Sequence, residues 1–184
     1  QVVAAQKRGE ARGIYSVCSA NRTVIEACML QALEDHSDLL IETTCNQVNQ
    51  YGGYTRMTPR DFVAFLQQIT DRHGLPRPQV ILGGDHLGPN PWQSEPAASA
   101  MAKSHRLVGD TIRAGYTKIH LDASMRCADD PGDRETPLDE EIVTRRAAEL
   151  CRAAEQARSG LPPGAPAPCY VIGTDVPPPG GEKQ

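Results

Sequence analysis

Short β-prone runs alternate along this chain with longer stretches in which apolar residues recur every three or four positions. Residues 13–20 (GIYSVCSA) form the first run. Asn21 stands where a helix cap is needed, and Val24, Ile25, Cys28, Met29 and Ala32 keep helical spacing through about residue 33. Residues 39–44 (LLIETT) predict a second strand, followed by a polar, Gly-rich loop over 45–57. Thr58 and Pro59 predict a capped helix start, with Phe62, Phe65, Leu66 and Ile69 as its buried stripe and Gly74 and Pro76 at its end. A third strand is predicted at 80–84 (VILGG), with the loop DHLGPNPW after it. The helix at about 97–114 meets Gly115, a residue suited to stop it. A fourth strand at 117–124 (TKIHLDAS) and a charged loop lead to a helix at about 138–158. The Pro/Gly-rich connection 159–168 precedes a fifth strand at 169–175 (CYVIGTD), and VPPPGGEKQ can continue neither a helix nor a central strand.

Five β/α alternations predict an α/β fold with a parallel sheet covered by helices. A doubly wound open sheet is complete with five strands, but it places a Gly-rich phosphate turn directly after the first, where this chain has CSANR. A TIM (β/α)8 barrel instead collects chemistry at the C-terminal end of every strand. Polar clusters follow strands two, three, four and five here, which favours the barrel. A barrel needs eight strands. The expectation is therefore one partial TIM-barrel domain over residues 1–184, about the first five β/α units, truncated at its C-terminus and slightly at its N-terminus. Strands one and five would be unpaired edges.

Charge and composition narrow the partners. A formal net charge of −4 offers no excess of cations for nucleic acid. No apolar run approaches the roughly 20 residues that span a bilayer, and the first residues lack the basic-then-apolar order of a leader. The six cysteines include no CxxC pair, and Cys18, Cys28, Cys151 and Cys169 sit in periodic apolar segments. That usage predicts free, small-hydrophobe cysteines in a reducing cytoplasm, not a disulfide framework or a structural zinc site.

Strand alternation locates the candidate chemistry. Leu40 and Glu42 share a face, as do Ile81, Gly83 and Asp85, and as do His120 and Asp122. An inward register at the barrel mouth would gather Glu42, Asp85 and Asp122 as candidate catalytic carboxylates, with His86 just beyond as a candidate metal ligand. Glu42 and Asp122 fit either that role or salt bridges at strand ends. His120, mid-strand, is expected to be a satisfied core histidine. Asp85-His86 follows two glycines that allow a tight turn, and a charged pair there is costly to bury without a partner. Asn46, Gln47, Asn49 and Gln50 offer donors and acceptors for sugar hydroxyls, or simply close a turn-rich loop. His36, His73 and His105 are expected to face solvent, and Asp129, Asp130 and Asp133 to form a solvated loop.

The segments GIYSVCSANRTVIEA, LLIETTCNQVNQYGGYTRMTPRDF, ILGGDHLGPNPW, AGYTKIHLDASMRCADD and YVIGTDVPPPGG resemble the GatZ/KbaZ family over about residues 9–181. These are the non-catalytic subunits of class II D-tagatose-1,6-bisphosphate aldolase, also labelled tagatose-6-phosphate kinases. The resemblance implies a TIM barrel of roughly twice this length and a place in bacterial galactitol, tagatose or N-acetylgalactosamine breakdown. It also implies a catalytic aldolase subunit as partner and a phosphorylated ketohexose as ligand. Asp85 and His86 match the Asp-His pair of zinc-dependent class II aldolases, a proton carrier and a metal ligand. Zinc or a similar divalent ion is the implied cofactor, with its site incomplete because further ligands come from later strands. The family's GTEVP carries Glu where this chain has Asp175, which leaves that carboxylate, placed with Asn46, Gln47 and Asn49 as substrate-binding, one methylene shorter.

The expected function is thus an accessory, stabilising subunit of the aldolase. The alternative is a metal-dependent tagatose 6-phosphate (or fructose) 4-epimerase, with Glu42 or Asp85 as base. A kinase is disfavoured, since no Gly-rich loop ends in Gly-Lys-Ser or Gly-Lys-Thr. No independent catalysis is expected of these 184 residues.

Overall fold

The computed structural model describes residues 2–133 and 136–173. The elements run α1 (Val2–Lys7), β1 (Ser16–Cys18), α2 (Arg22–Glu34), β2 (Leu39–Thr44), α3 (Pro59–His73), β3 (Val80–Leu87), α4 (Ala97–Arg113), β4 (Lys118–Leu121), α5 (Glu140–Ser159) and β5 (Cys169–Ile172). The predicted caps form as the chemistry requires. Asn21 accepts from the backbone N–H groups of Thr23 and Val24. Thr58 and Asp61 close a reciprocal capping box, with Pro59 at the first turn. Gly115 takes φ 95°, the left-handed conformation that ends α4 cheaply.

All five strands are parallel, in the order β1-β2-β3-β4-β5. That order never reverses, whereas a doubly wound sheet switches direction at its centre. The result is a run of consecutive β/α units of TIM-barrel type. β1 and β5 form the lateral edges and are largely exposed. Leu39 and Ile41 on β2 and Ile119 and Leu121 on β4 turn to the helices. There they join Ile25 and Met29 of α2, Phe62, Leu66 and Ile69 of α3, Leu107 and Ile112 of α4 and Leu150 of α5. The opposite parity, Leu40, Glu42, Gly83, Asp85, Lys118 and His120, lines the inner face.

Several expectations need correction. β1 is three residues long, β4 is four, and α1 was not anticipated. β3 continues past Gly84 to Leu87, because a register shift between Gly84 and Leu87 against β4 lets the strand pass through Asp85 and His86. All six cysteines are free, but Cys18 and Cys169 are exposed, since they lie on the edge strands. His73 and His105 are half-buried, not solvent-facing. Asp130 is no solvated loop residue. Its carboxylate takes two hydrogen bonds from Arg146, at 2.8 and 2.5 Å, and both side chains are about 5 % exposed.

Candidate functional site

The site forms on the inner face, from Glu42 in mid-β2 and Lys118 at the start of β4 to Asp85 and His86 near the C-terminal end of β3 and Asp122 just past β4. Glu42 is buried, and Gly83 lies opposite it in the parallel register. A Cβ at Gly83 would come within 2.5 Å of Glu42 Oε1. The missing side chain is what lets the Glu42 carboxylate lean across β3 toward β4. There it meets the Lys118 ammonium at 2.5 Å, and the same Nζ lies 3.5 Å from Asp85 Oδ1.

Asp85 and His86 are neighbours in sequence, so a regular strand would aim them at opposite faces. The bulge overrides this. His86 adopts φ 46°, a left-handed conformation that costs a non-glycine residue about 1 kcal/mol or more. Its ring then stands beside that of His120, with centroids 4.4 Å apart. His86 Nδ1 lies 2.9 Å from Asp122 Oδ2, and Nε2 lies 3.8 Å from Asp85 Oδ2. Asp122 is itself fixed, because its Oδ1 accepts from both the backbone N–H and the hydroxyl of Ser124. A carboxylate on Nδ1 favours the proton there, which makes Nε2 the ring's electron-pair donor on the side of Asp85. Asp122, expected to be catalytic, is therefore placed to orient His86.

His120 Nδ1 lies 3.0 Å from Asp85 Oδ1 and 3.3 Å from the His86 backbone N–H. It serves one at a time, donating to Asp85 when protonated and accepting from His86 when not. Burial pushes the Asp85 carboxyl up. The His120 hydrogen bond and the charges of His86, Lys118 and His120 outweigh that and hold it at about 2. Asp85 is thus an ionised acceptor at neutral pH, better suited to a cation than to storing a proton.

One donor atom each from Asp85, His86 and His120 lies within 4.8 Å of the others. Two imidazoles and a carboxylate are a donor set suited to zinc or another divalent transition metal. The local charge agrees, since Glu42 and Asp85 share the Lys118 ammonium while Asp122 adds a third carboxylate against His86. The donor set therefore fits a metal. Cys18 lies outside this group; although its residue is exposed on the edge strand, partial desolvation of the thiol and the Asp85 carboxylate push it up to about 12.

The amide loop divides. Asn46 is exposed at the mouth. Gln47 is buried, its Oε1 accepting from Thr44 N–H at 2.8 Å. Asn49 is spent on its own loop: Nδ2 donates to Cys45 O, and Oδ1 accepts from the N–H groups of Tyr51 and Gly53. It therefore shapes the loop instead of facing a ligand. Asp175 lies outside the described residues. Lys118 and His120 are the site members that strand alternation should have found, since 118, 120 and 122 share a face. His120 is buried and hydrogen-bonded, as expected of a core histidine, and it also stands in the candidate ligand group.

The family model described as D-tagatose-1,6-bisphosphate aldolase subunit GatZ/KbaZ-like matches residues 1–184. Proteins named D-tagatose-1,6-bisphosphate aldolase subunit GatZ from Salmonella paratyphi B and Salmonella typhimurium are 54% identical to it, over 185 and 187 residues, across 99% of this chain and 42% of their own length. The chain thus spans about two-fifths of the curated relatives it matches. The crystal structure of a probable tagatose 6 phosphate kinase from Sinorhizobium meliloti 1021 superposes with a TM-score of 0.80 at 50% identity, covering 89% of this chain and 39% of that one.

Proposed function

This chain belongs to the GatZ/KbaZ-like family of D-tagatose-1,6-bisphosphate aldolase subunits, and on that premise we propose that it acts as an accessory subunit of a class II tagatose-bisphosphate aldolase. Its partner in this reading is a separate catalytic subunit, and its ligand a phosphorylated ketohexose. One observation carries the proposal: 54% identity across 99% of the chain to a protein named D-tagatose-1,6-bisphosphate aldolase subunit GatZ. These 184 residues hold no Gly-Lys-Ser or Gly-Lys-Thr loop of the P-loop type.

The inner-face cluster supplies a second part of the proposal. Asp85, His86 and His120 would hold a divalent metal, with Asp122 setting the His86 tautomer. When bound, such an ion would polarise a carbonyl or hydroxyl oxygen of a sugar phosphate. Glu42 and Lys118, ion-paired beside the cluster, would face the same ligand with one acceptor and one donor.

The test is reconstitution. The purified catalytic subunit is assayed for cleavage of D-tagatose 1,6-bisphosphate with increasing amounts of this protein. The proposal expects saturable stimulation and a longer active half-life, with no cleavage by this protein alone. A catalytic subunit equally active and equally durable without it would overturn the accessory role.

A further inference from the structure

The loop between β2 and α3 presents a rigid aromatic surface that the inner-face site does not use. Tyr51 and Tyr54 are 63% and 71% exposed. Exposed loop side chains usually sit on pliable backbone, but this loop is closely bonded. Tyr54 N–H donates to Asn46 O at 3.0 Å, the Thr55 hydroxyl to Gln47 O at 2.7 Å and Met57 N–H to Gly52 O at 2.8 Å. Gly53 packs so tightly that a Cβ would come within 2.4 Å of Gln47 O. Tyr51 is braced edge-on against Trp92, with the Lys103 ammonium 6.0 Å from its ring centroid. Arg56 is held in the left-handed region at φ 62°, which fixes the turn into α3.

The same loop runs into a groove of about 660 Å³ between α3 and α4. Arg60, Arg106 and Arg113 line it against one acid, Asp110, whose two oxygens lie 3.6 Å from Arg106 and 2.9 Å from Arg113. In a chain of net charge −4, this concentrates positive charge on one face. Rigid tyrosines beside arginines are the composition that dominates protein–protein binding energy. Because the loop is already ordered, little entropy is lost when a partner docks on it.

We infer that the Tyr51–Tyr54 loop and the adjoining arginine groove form the docking face for the catalytic aldolase subunit, which meets it with an acidic surface. This rests on the accessory role proposed above.

Binding of the full chain to the immobilised catalytic subunit tests it. Tyr54→Ala should weaken affinity about tenfold, the level of an interface hot spot. The double charge reversal Arg60→Glu with Arg106→Glu should weaken it at least about tenfold and flatten its dependence on salt. Arg158→Ala, on α5, should change nothing. The replaced side chains are exposed, so circular dichroism and Tm should match wild type for every variant. If wild type binds and both loop and groove variants keep its affinity, the docking face lies elsewhere and this inference falls while the accessory role stands. If wild type does not bind at all, the accessory role fails and takes this inference with it.

Discussion

Two single residues control the geometry of the inner-face site. Asp122 holds His86 through Nδ1 at 2.9 Å, so its effect should appear in metal affinity. Asp122→Ala should weaken zinc binding about 10–100-fold, as measured by competition with a chromophoric chelator on protein whose circular dichroism shows it folded. Unchanged affinity would mean that His86 is oriented by something else. Gly83 matters by absence, because any Cβ meets the Glu42 carboxylate. Gly83→Ala should cost about 1–3 kcal/mol in chemical denaturation. Adding Glu42→Ala should recover part of that loss, since the clash then has no partner. Two additive losses would show that the strain lies in the backbone.

At the scale of elements, the loop from β4 to α5 is held by the buried Asp130–Arg146 pair. Burial pushes the Asp130 carboxyl up, but hydrogen bonds from Arg146 and the Cys127 N–H outweigh it and hold it below the usual range. A depressed folded-state value stabilises the fold above the unfolded value of about 3.9, and that contribution is lost as pH falls through the folded value. Arg146→Ala should therefore cost about 3–5 kcal/mol at pH 7, by leaving a buried charge alone. The gap between variant and wild type in urea denaturation should narrow below about pH 4. A gap independent of pH would assign the loss to packing. Helices and strands were largely legible here, because caps such as Asn21 and Thr58 and stops such as Gly74 and Gly115 are local chemistry. The Asp130 pair was not legible, since its partner lies 16 residues away on another element. The β3 bulge was only half legible. Two glycines marked a departure from regular strand, but strict alternation cannot show that His86 turns to the face of Asp85.

For the whole molecule, the unreversed strand order makes β2, β3 and β4 interior strands and β1 and β5 edges. Amide hydrogen exchange should be slowest in β2 and β3 and much faster in β1 and β5, each hydrogen-bonded to one described strand only. Uniform protection across the sheet would indicate that the edges are covered in solution. The barrel-type winding also explains why the site was partly readable in advance. Parallel strands in register bring Glu42, Asp85 and Asp122 to one mouth, whichever local pairs they make. Alternation also puts Lys118 and His120 on that face; what it could not supply was their pairing, Lys118 with Glu42 and Asp85, and His120 with Asp85. The most direct check on the site is a crystal of the protein grown with zinc and measured on both sides of the zinc absorption edge. The account predicts one strong anomalous peak in contact with Asp85, His86 and His120, lost in His86→Ala. Strong zinc peaks only elsewhere, or none at saturating zinc, would contradict it.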